Sequence, residues 1–317
     1  MAGEPIYFGR RYRLTIHPPG GDETVFETEA GEPAMDIKFD VTYAKGQTAR
    51  EGTVSILGLG FKTIHAFLTL AGETRGMAMS KLVRVKLEAG YFSQAGMVEV
   101  LNGFAWYATV TSPPQMWLTL RVSEYNPLGG RAITIPSHNE PKNLSILCNS
   151  IATQFSDEET AEGLPIVFVD KTEHHVFGNE QSKRMIFPEK VTLKDTIEIL
   201  NRDASDKVVF TMRTNGTNGE RVIEAHDKSP EKAVDVEDVI VDKDNGLLSV
   251  TGIDAVNGCI TTFIDGRYPD ELTHLQLTSE LNQIANGRYY IVKKQYVGHF
   301  MGQEWYTRYF CSARVKV

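Results

Sequence analysis

The sequence predicts a mainly β protein with an α+β insertion, because three kinds of pattern follow one another along its 317 residues. Up to about residue 125, several runs alternate apolar and polar side chains, which is typical of strands with one buried face. Across about residues 127–235, an amphipathic helix followed by a short apolar strand occurs twice. The last part returns to strand-like alternation and contains hairpin-turn signals. We therefore divide the chain into residues 1–126, 127–235 and 236–317.

The first part predicts an antiparallel meander of strands with one short helix, which suits a small barrel or sandwich. Its clearest strand, MDIKFDVTY, places five apolar residues on one face: Met35, Ile37, Phe39, Val41 and Tyr43. The polar loop Ala44–Arg50 separates this strand from a second one, GTVSILGL. A helix is then predicted from apolar residues at helical spacing, namely Phe61, Ile64, Phe67, Leu68 and Ala71. Three more strands follow as KLVRVKLEAGY, MVEVLNGFAWYATV and MWLTLRVSEY.

The middle part predicts two small helix-plus-strand modules. Asn143 is placed to cap a helix with one apolar stripe, formed by Leu144, Leu147, Cys148, Ile151 and Phe155. The strand Pro165–Val169 follows this helix. Thr192 and Asp195 then have the spacing of a capping box, and the strand Val208–Met212 comes after that second helix.

The last part predicts β-hairpins, because Asn257-Gly258 and Asn286-Gly287 are strong turn signals. A long alternation then places one set of residues on a single face: Trp305, Thr307, Tyr309, Cys311, Ala313, Val315 and Val317. The opposite face is formed by Tyr306, Arg308, Phe310, Ser312, Arg314 and Lys316. Because this second face is amphipathic, we expect it to contact another subunit.

The composition argues against several classes of protein. The formal net charge is −8 and no run of Lys and Arg occurs, whereas a nucleic-acid clamp needs clustered cations. Cys148, Cys259 and Cys311 lie far apart without metal-ligand spacing, so we expect free thiols made in a reducing cytoplasm. The N-terminal MAGEPIYFGRRYRL lacks the apolar core of a signal peptide, and no apolar run approaches the roughly 18 residues of a membrane span.

No catalytic, cofactor-binding or metal site is predicted, although some fragments look chemical. In Gly58–Thr63, Phe61 stands where a phosphate-binding loop needs glycine before its lysine, so a turn is predicted instead. The run Asp242–Gly246 resembles the start of a calcium loop. However, Ile253 occupies the twelfth position, where that loop requires glutamate.

The remaining candidate is the group Asp170, Glu173, His174 and His175, because a carboxylate and two histidines on a loop would suit zinc. On a strand, adjacent histidines point to opposite faces and rarely share one metal. A solvated loop is therefore predicted. Since no nucleophile-and-base arrangement or carboxylate pair stands out, we expect no enzymatic activity.

Several strand-and-turn stretches resemble a known family when they are taken in order. The first part contributes IKFDVTY, TAREGTVSILGLG, LVRVKLEAGY with its final Ala-Gly-Tyr, LNGFAWYATVTSPP and MWLTLRVSEYNP. The last part contributes GLLSVTGIDAVNGCITTFIDGRYPDELTHLQL and NGRYYIVKKQYVGHFMGQEWYTRYFCSARV, with Gly-His and Trp-Tyr-Thr motifs. Together they resemble the baseplate hub of contractile phage tails, similar to the hubs of phages T4 and Mu and to the hub part of type VI secretion spikes. Gly58-Leu59-Gly60 departs from the Asn-Leu-Ser of many relatives.

This resemblance implies two tube-like antiparallel β-barrel domains plus the small helix-strand modules, with the second barrel able to recruit strands from the middle. Three chains would form a homotrimeric, pseudo-sixfold ring that joins a sixfold tail tube to a threefold central spike. The implied partners are the spike, the tail tube, the tape-measure protein and neighbouring baseplate wedge proteins. DNA would only pass through the channel during genome ejection. The implied location is the tail baseplate of the virion, after assembly in the host cytoplasm.

The resemblance also suggests where subunits meet, although packing within one subunit would explain each element equally well. The elements are the Ala44–Arg50 loop, the Phe61–Ala71 helix and the Trp305–Val317 strand. The candidate residues are Ala44, Lys45, Gln47, Arg50, Phe61, Ile64, Trp305, Tyr306, Arg308 and Phe310.

Other functions remain open at this point. A distal or tail-tip protein of a non-contractile tail, or a tail tube, would be a related ring, but a tube subunit needs one barrel only. A tail-associated peptidoglycan hydrolase would need an added catalytic module. A carbohydrate-binding module would need exposed aromatic platforms, whereas Trp106, Trp117 and Trp305 lie in alternating strands.

Overall fold

The computed structural model describes most of the chain. The described residues are 9–29, 34–44, 49–72, 82–93, 96–124, 132–156, 165–172, 175–215, 220–227, 239–244, 246–251, 258–264 and 274–314. Both predicted boundaries between the three parts lie outside these ranges. Within them, no helix is long and apolar enough to cross a membrane.

The first region is built from strands whose apolar residues alternate with polar ones. Its elements are β1 (Arg10–His17), β2 (Thr24–Glu27), β3 (Ile37–Ala44), β4 (Glu51–Leu57), α1 (Phe61–Gly72), β5 (Val83–Tyr91), β6 (Met97–Val110) and β7 (Trp117–Ser123). In β3, the predicted face is confirmed, because Ile37, Phe39, Val41 and Tyr43 are all buried. Helix α1 packs against β6.

Helix α1 confirms the predicted segment but not the whole predicted apolar face. Ile64 and Phe67 are buried in the first core, and Leu68 packs beside them. The placement of Phe61 on this face was wrong, since its side chain is 76% exposed. Phe61 is the first residue of α1, about two turns before Leu68, so it lies at the end of the helix and not in the part that packs on the core.

The middle region has its own core. Its elements are α2 (Leu144–Ser156), β8 (Ile166–Asp170), α3 (Val176–Asn179), α4 (Leu193–Ile199), β9 (Val208–Asn215) and β10 (Glu220–Asp227). The predicted start of α2 is confirmed, because the Asn143 side-chain oxygen accepts a hydrogen bond of 3.2 Å from the Ile146 N–H. The reciprocal capping box of Thr192 and Asp195 at the start of α4 is confirmed as well.

The two helix-plus-strand modules predicted for the middle region share a single core and one three-stranded sheet. Strand β10 pairs in parallel with β8 and antiparallel with β9. It therefore lies between the two strands that the sequence placed in separate modules. Local patterns could not predict this strand order, because β10 follows both partners and is far from β8 in the chain.

The last region is again made of strands, and the predicted buried alternation is confirmed from Trp305 to Cys311. The side chain of Ala313 is not described, and Val315 and Val317 lie outside the described residues. The elements of this region are β11 (Val239–Val241), β12 (Leu247–Thr251), β13 (Gly258–Thr262), β14 (His274–Leu277), β15 (Gly287–His299) and β16 (Trp305–Arg314). The expected hairpins form, since β12 pairs antiparallel with β13 and β14 with β15. However, Asn286 is not part of a tight turn. It ends a longer connection, and its side-chain oxygen accepts from the Ser279 N–H.

A single sheet of thirteen strands joins the first and last regions. Its main path has the order β12, β13, β16, β15, β3, β4, β7, β6, β5, β1 and β2, and β14 with β11 branches from β15. One core packs on the first region and another on the last. Strand β3 of the first region therefore continues the sheet of the last region. The sequence had allowed strands of the middle region to join that sheet.

The first and last regions repeat one strand order. The path β3, β4, β7, β6, β5, β1 corresponds to β12, β13, β16, β15, β14, β11, and the strands of each path follow in the same sequence along the chain. Neighbours are antiparallel in both repeats, except that β11 and β14 are parallel where β1 and β5 are antiparallel. The mainly β fold with two similar β regions and a small helical insertion is confirmed.

Candidate functional site: the seam between the two β regions

The two β regions are joined by antiparallel pairing of β15 with β3, which we call the seam. Seven residue pairs form it, from Lys293 opposite Ala44 to His299 opposite Lys38. Strand β15 is long enough to serve two neighbours on one side. Its first residues pair with β14. The pairing of β15 with β16 shifts register after Ile291, and from Lys293 onward β3 pairs with the edge of β15 that faces away from β16.

A row of three residues crosses the seam. Gly298 lies opposite Phe39 on one side and Trp305 on the other. A Cβ atom at Gly298 would collide with Cζ of Phe39, so only glycine leaves room for that ring. The Phe39 and Trp305 rings meet edge to face, with centroids 5.2 Å apart. Both rings belong to the first core, so this row extends the core across the seam.

Trp305 is also fixed to β5 through two hydrogen bonds. Its indole Nε1–H donates to the carbonyl of Gly90 at 3.3 Å, and its own carbonyl accepts from the Tyr91 hydroxyl at 3.1 Å. Aromatic residues with a polar group need such partners when they are buried. Strand β16 is therefore held against the first region at its very first residue.

The turn between β15 and β16 is clasped by two charged side chains of the first region. Nη1 of Arg10 donates to the carbonyls of His299 at 2.9 Å and Phe300 at 3.2 Å. The Asp36 carboxylate accepts from the Met301 N–H at 3.0 Å and lies 3.0 Å from Nε2 of His299. These contacts fix the orientation of the two β regions, because rotation about the seam would break them.

Three predicted contact residues lie on the face of β16 opposite the cores. The Arg308 guanidinium covers the Tyr306 ring at 4.8 Å and donates to its hydroxyl at 2.8 Å. Nζ of Lys293 stands 4.9 Å from the centre of the Phe310 ring. Cations on aromatic faces form a mixed apolar and polar surface, which is typical of contact surfaces between proteins.

Other candidates are placed differently by the structure. Ile64, Arg50 and Trp305 are buried inside the single chain, where contacts within the chain account for them. They are therefore withdrawn as contact residues. Phe61 is exposed and Ala44 half-buried, so both stay candidates, whereas Lys45 and Gln47 lie outside the described residues.

A buried, hydrogen-bonded pair of charged residue types lies where the first region meets the middle region. Two hydrogen bonds of 3.0 Å join Glu124 and Arg50. The Glu124 carboxylate accepts from the Arg50 N–H, and the Arg50 carbonyl accepts from the Glu124 N–H. Burial raises the pKa of Glu124 to about 7, although the charges of Arg50 and of Arg213 on β9 oppose that rise. The neighbouring Ala49 belongs to the core of the middle region.

The fragments that looked chemical form turns where they are described. His175 is 87% exposed, and its Nδ1 is 3.6 Å from the Asp170 carboxylate, while Glu173 and His174 lie outside the described residues. Gly58 has a positive φ of 91° just before α1, as the predicted turn requires. The described parts of the chain contain no group of three potential metal ligands.

Sequence reasoning missed the residues that hold the seam together. Arg10 and Asp36 carry no periodic signal, and their partners lie more than 260 positions away in the chain. The available signal was the resemblance itself. Its Ala-Gly-Tyr motif ends at Tyr91, its Gly-His motif at His299 and its Trp-Tyr-Thr motif at Thr307. In the structure, the Ala-Gly-Tyr and Gly-His motifs both contact Trp305.

Comparison with known proteins supports the fold but gives no family by sequence. No protein-family model and no curated protein matches the chain. Among solved structures, a tail protein from Neisseria meningitidis MC58 is similar over 96% of each chain, with a TM-score of 0.56 and 10% identity. The 43 kDa tail protein of prophage MuSo2 from Shewanella oneidensis is similar over 95% of this chain and 96% of its own, with a TM-score of 0.51 and 9% identity.

A third similar structure is the E. coli c3393 protein, a component of the type VI secretion system that is itself described as similar to the bacteriophage T4 tail proteins gp27 and gp5. The match covers 89% of this chain and 74% of that one, with a TM-score of 0.50 and 8% identity. At such identities the likeness shows the fold alone. The chain thus has the fold of phage tail proteins and of a type VI secretion component.

We predict that Gly298→Ala destabilises the protein by about 1–3 kcal/mol, because the new methyl group collides with the Phe39 ring and overpacks the seam. Urea unfolding measures the loss. Gly96→Ala is the matched control, since nothing lies within 4 Å of a Cβ there, and it should change stability by less than about 0.5 kcal/mol. Equal effects of the two substitutions would contradict the role of Gly298.

We predict that Glu124 makes stability depend on pH. Its folded-state pKa of about 7 lies above its ordinary 4.5, so the folded state binds the proton more tightly. The free energy of unfolding should therefore fall by up to about 3 kcal/mol as the pH rises from 4.5 to 7. Glu124→Gln removes this titration. The difference between wild type and variant, measured by urea unfolding, should decline across that window and level off above it; a constant difference would refute the assignment.

Proposed function

We propose that this chain is a non-catalytic structural hub of a phage tail baseplate. Three copies form a ring around a channel, and the ring joins the sixfold tail tube to the threefold central spike. DNA crosses the channel during genome ejection, which sheath contraction drives. The chain acts in the virion after assembly in the host cytoplasm, in contact with the spike, the tube, the tape-measure protein and neighbouring wedge proteins.

The observation that carries this proposal is the repeated strand order within one chain. Each chain supplies two similar β units, so three chains supply six, which is the number a sixfold tube presents. The same ring has true threefold symmetry, which a threefold spike requires. Closed rings of this kind arise when identical head-to-tail contacts return to the first subunit.

The seam supports a role in transmitting force. It is continuous backbone pairing backed by the Phe39–Gly298–Trp305 row and the Arg10 and Asp36 clasp, so the two units form one rigid body. A hub must keep its six units in fixed positions while it transmits force along the tail. The full-length likeness to two tail proteins agrees with this function.

Light scattering of the purified chain, alone and co-expressed with its candidate spike protein, tests the ring. We expect a mass of about 106 kDa, three times the 35.4 kDa chain, or a complex of three hubs with three spike chains. A monomer that stays monomeric at high concentration and ignores the spike would overturn the proposal.

A further inference from the structure

We propose that, in this ring, the outer edge of β6 near its C-terminal end pairs with the outer edge of β12 of a second copy of this chain. The contact repeats, between chains, the seam that β15 and β3 make within one chain. The inference rests on the proposed ring but adds to it the two surfaces that meet and their alignment.

The two repeats correspond residue by residue as well as strand by strand. Gly52 of β4 lies opposite Val122, one pair after the start of that pairing, and Gly258 of β13 lies opposite Cys311. The buried residues of the partner strands have the same spacing, with Leu118, Leu120 and Val122 in β7 and Thr307, Tyr309 and Cys311 in β16. Strand β6 is therefore the counterpart of β15, and β12 is the counterpart of β3.

A shared irregularity fixes the alignment of β6 with β15. The pairing of β6 with β7 shifts register between Ala105 and Tyr107, and the pairing of β15 with β16 shifts between Ile291 and Lys293. Tyr107 is therefore the counterpart of Lys293. Such bulges bend a strand and change its twist, which lets one long strand serve two neighbours in succession.

The counterpart strands differ in what occupies their outer edges. From Lys293 onward, β15 has β16 on one side and β3 on the other. From Tyr107 to Val110, β6 pairs with β7, and the described residues place no strand on its other side, because the pairing with β5 ends at Ala105. Likewise, β12 pairs with β13 and, within the described chain, with no strand beyond it.

The two edges have the character of a contact surface rather than of a protected edge. Tyr107, Thr109 and Val110 on β6 are exposed, as are Leu248 and Thr251 on β12. These are mostly β-branched, aromatic or apolar residues, without the lysine or proline that commonly blocks pairing at sheet edges. A second chain that covered both edges would remove the hazard of uncontrolled association.

The edges are different surfaces, so their contact is head-to-tail and closes only as a ring. In a ring of three chains, three seams within chains alternate with three contacts between chains. All six junctions then have the same geometry, as a match to a sixfold tube demands.

The seam also predicts which residues face each other across the new contact. In the seam, Val297 lies opposite Asp40. The counterpart of Val297 is Thr111, which directly follows β6 and whose N–H still bonds to the Trp117 carbonyl. The counterpart of Asp40 is Thr251, at the end of β12. Thr111 of one chain should therefore lie opposite Thr251 of the next, at the Cα separation of about 4.5–5.5 Å that a disulfide spans.

The test is disulfide cross-linking of Thr111→Cys/Thr251→Cys in the full chain under mild oxidation. A Cys259→Ser background is required, because Cys259 lies opposite Thr251 within the same chain. We expect covalent dimers and trimers on a non-reducing gel. Each single variant alone should stay monomeric on the gel, and a mixture of the two single variants assembled together should give dimers only, because each chain then has one reactive edge.

The matched control is Asp40→Cys/Val297→Cys, which should form its disulfide within one chain. If the chain has the mass of a trimer and this control closes, but the Thr111→Cys/Thr251→Cys variant gives no dimers, the edge contact is wrong and the ring stands. Cross-linking by a single variant alone would also overturn it, since that indicates a twofold contact. A strictly monomeric mass would overturn both the contact and the ring.

Discussion

The structure depends on one close approach, the passage of the Phe39 ring over Gly298 at the seam. A side chain at position 298 would collide with the ring and disturb its edge-to-face packing on Trp305. The backbone pairing of the seam then places the β15–β16 turn where Arg10 and Asp36 can bind it. Glycine at position 298 thus allows backbone pairing and aromatic packing to occur together at the seam.

The seam turns two similar β units into one body, and the middle region is added to that body at a different place. Its core includes Ala49, which directly precedes the buried Arg50–Glu124 pair. Their two hydrogen bonds join the residue before β4 to the residue after β7. The pair therefore acts mainly to fix how the chain enters β4 and leaves β7.

The repeat explains how weak motifs spread along the chain combine in one structural feature. Where the structure describes them, these motifs consist of strand residues and turns. The structure shows that motifs from the two ends of the chain, at Gly90-Tyr91 and at Gly298 to Trp305, meet at the seam. Their chemistry is that of a joint between two β regions.

The sequence by itself determined the local elements. Period-2 alternation identified β3, β5 and β16, helical spacing identified α1 and α2, and the capping box of Thr192 and Asp195 identified the start of α4. These patterns depend on neighbours only a few residues apart, so they can be read along the chain. Only the tertiary structure decided that β10 lies between β8 and β9, that Phe61 faces solvent, and that Arg10 and Asp36 clasp a turn near the other end of the chain. The physical reason is that strand partners and buried charges are chosen by packing between segments far apart in sequence, and local periodicity contains no information about that choice.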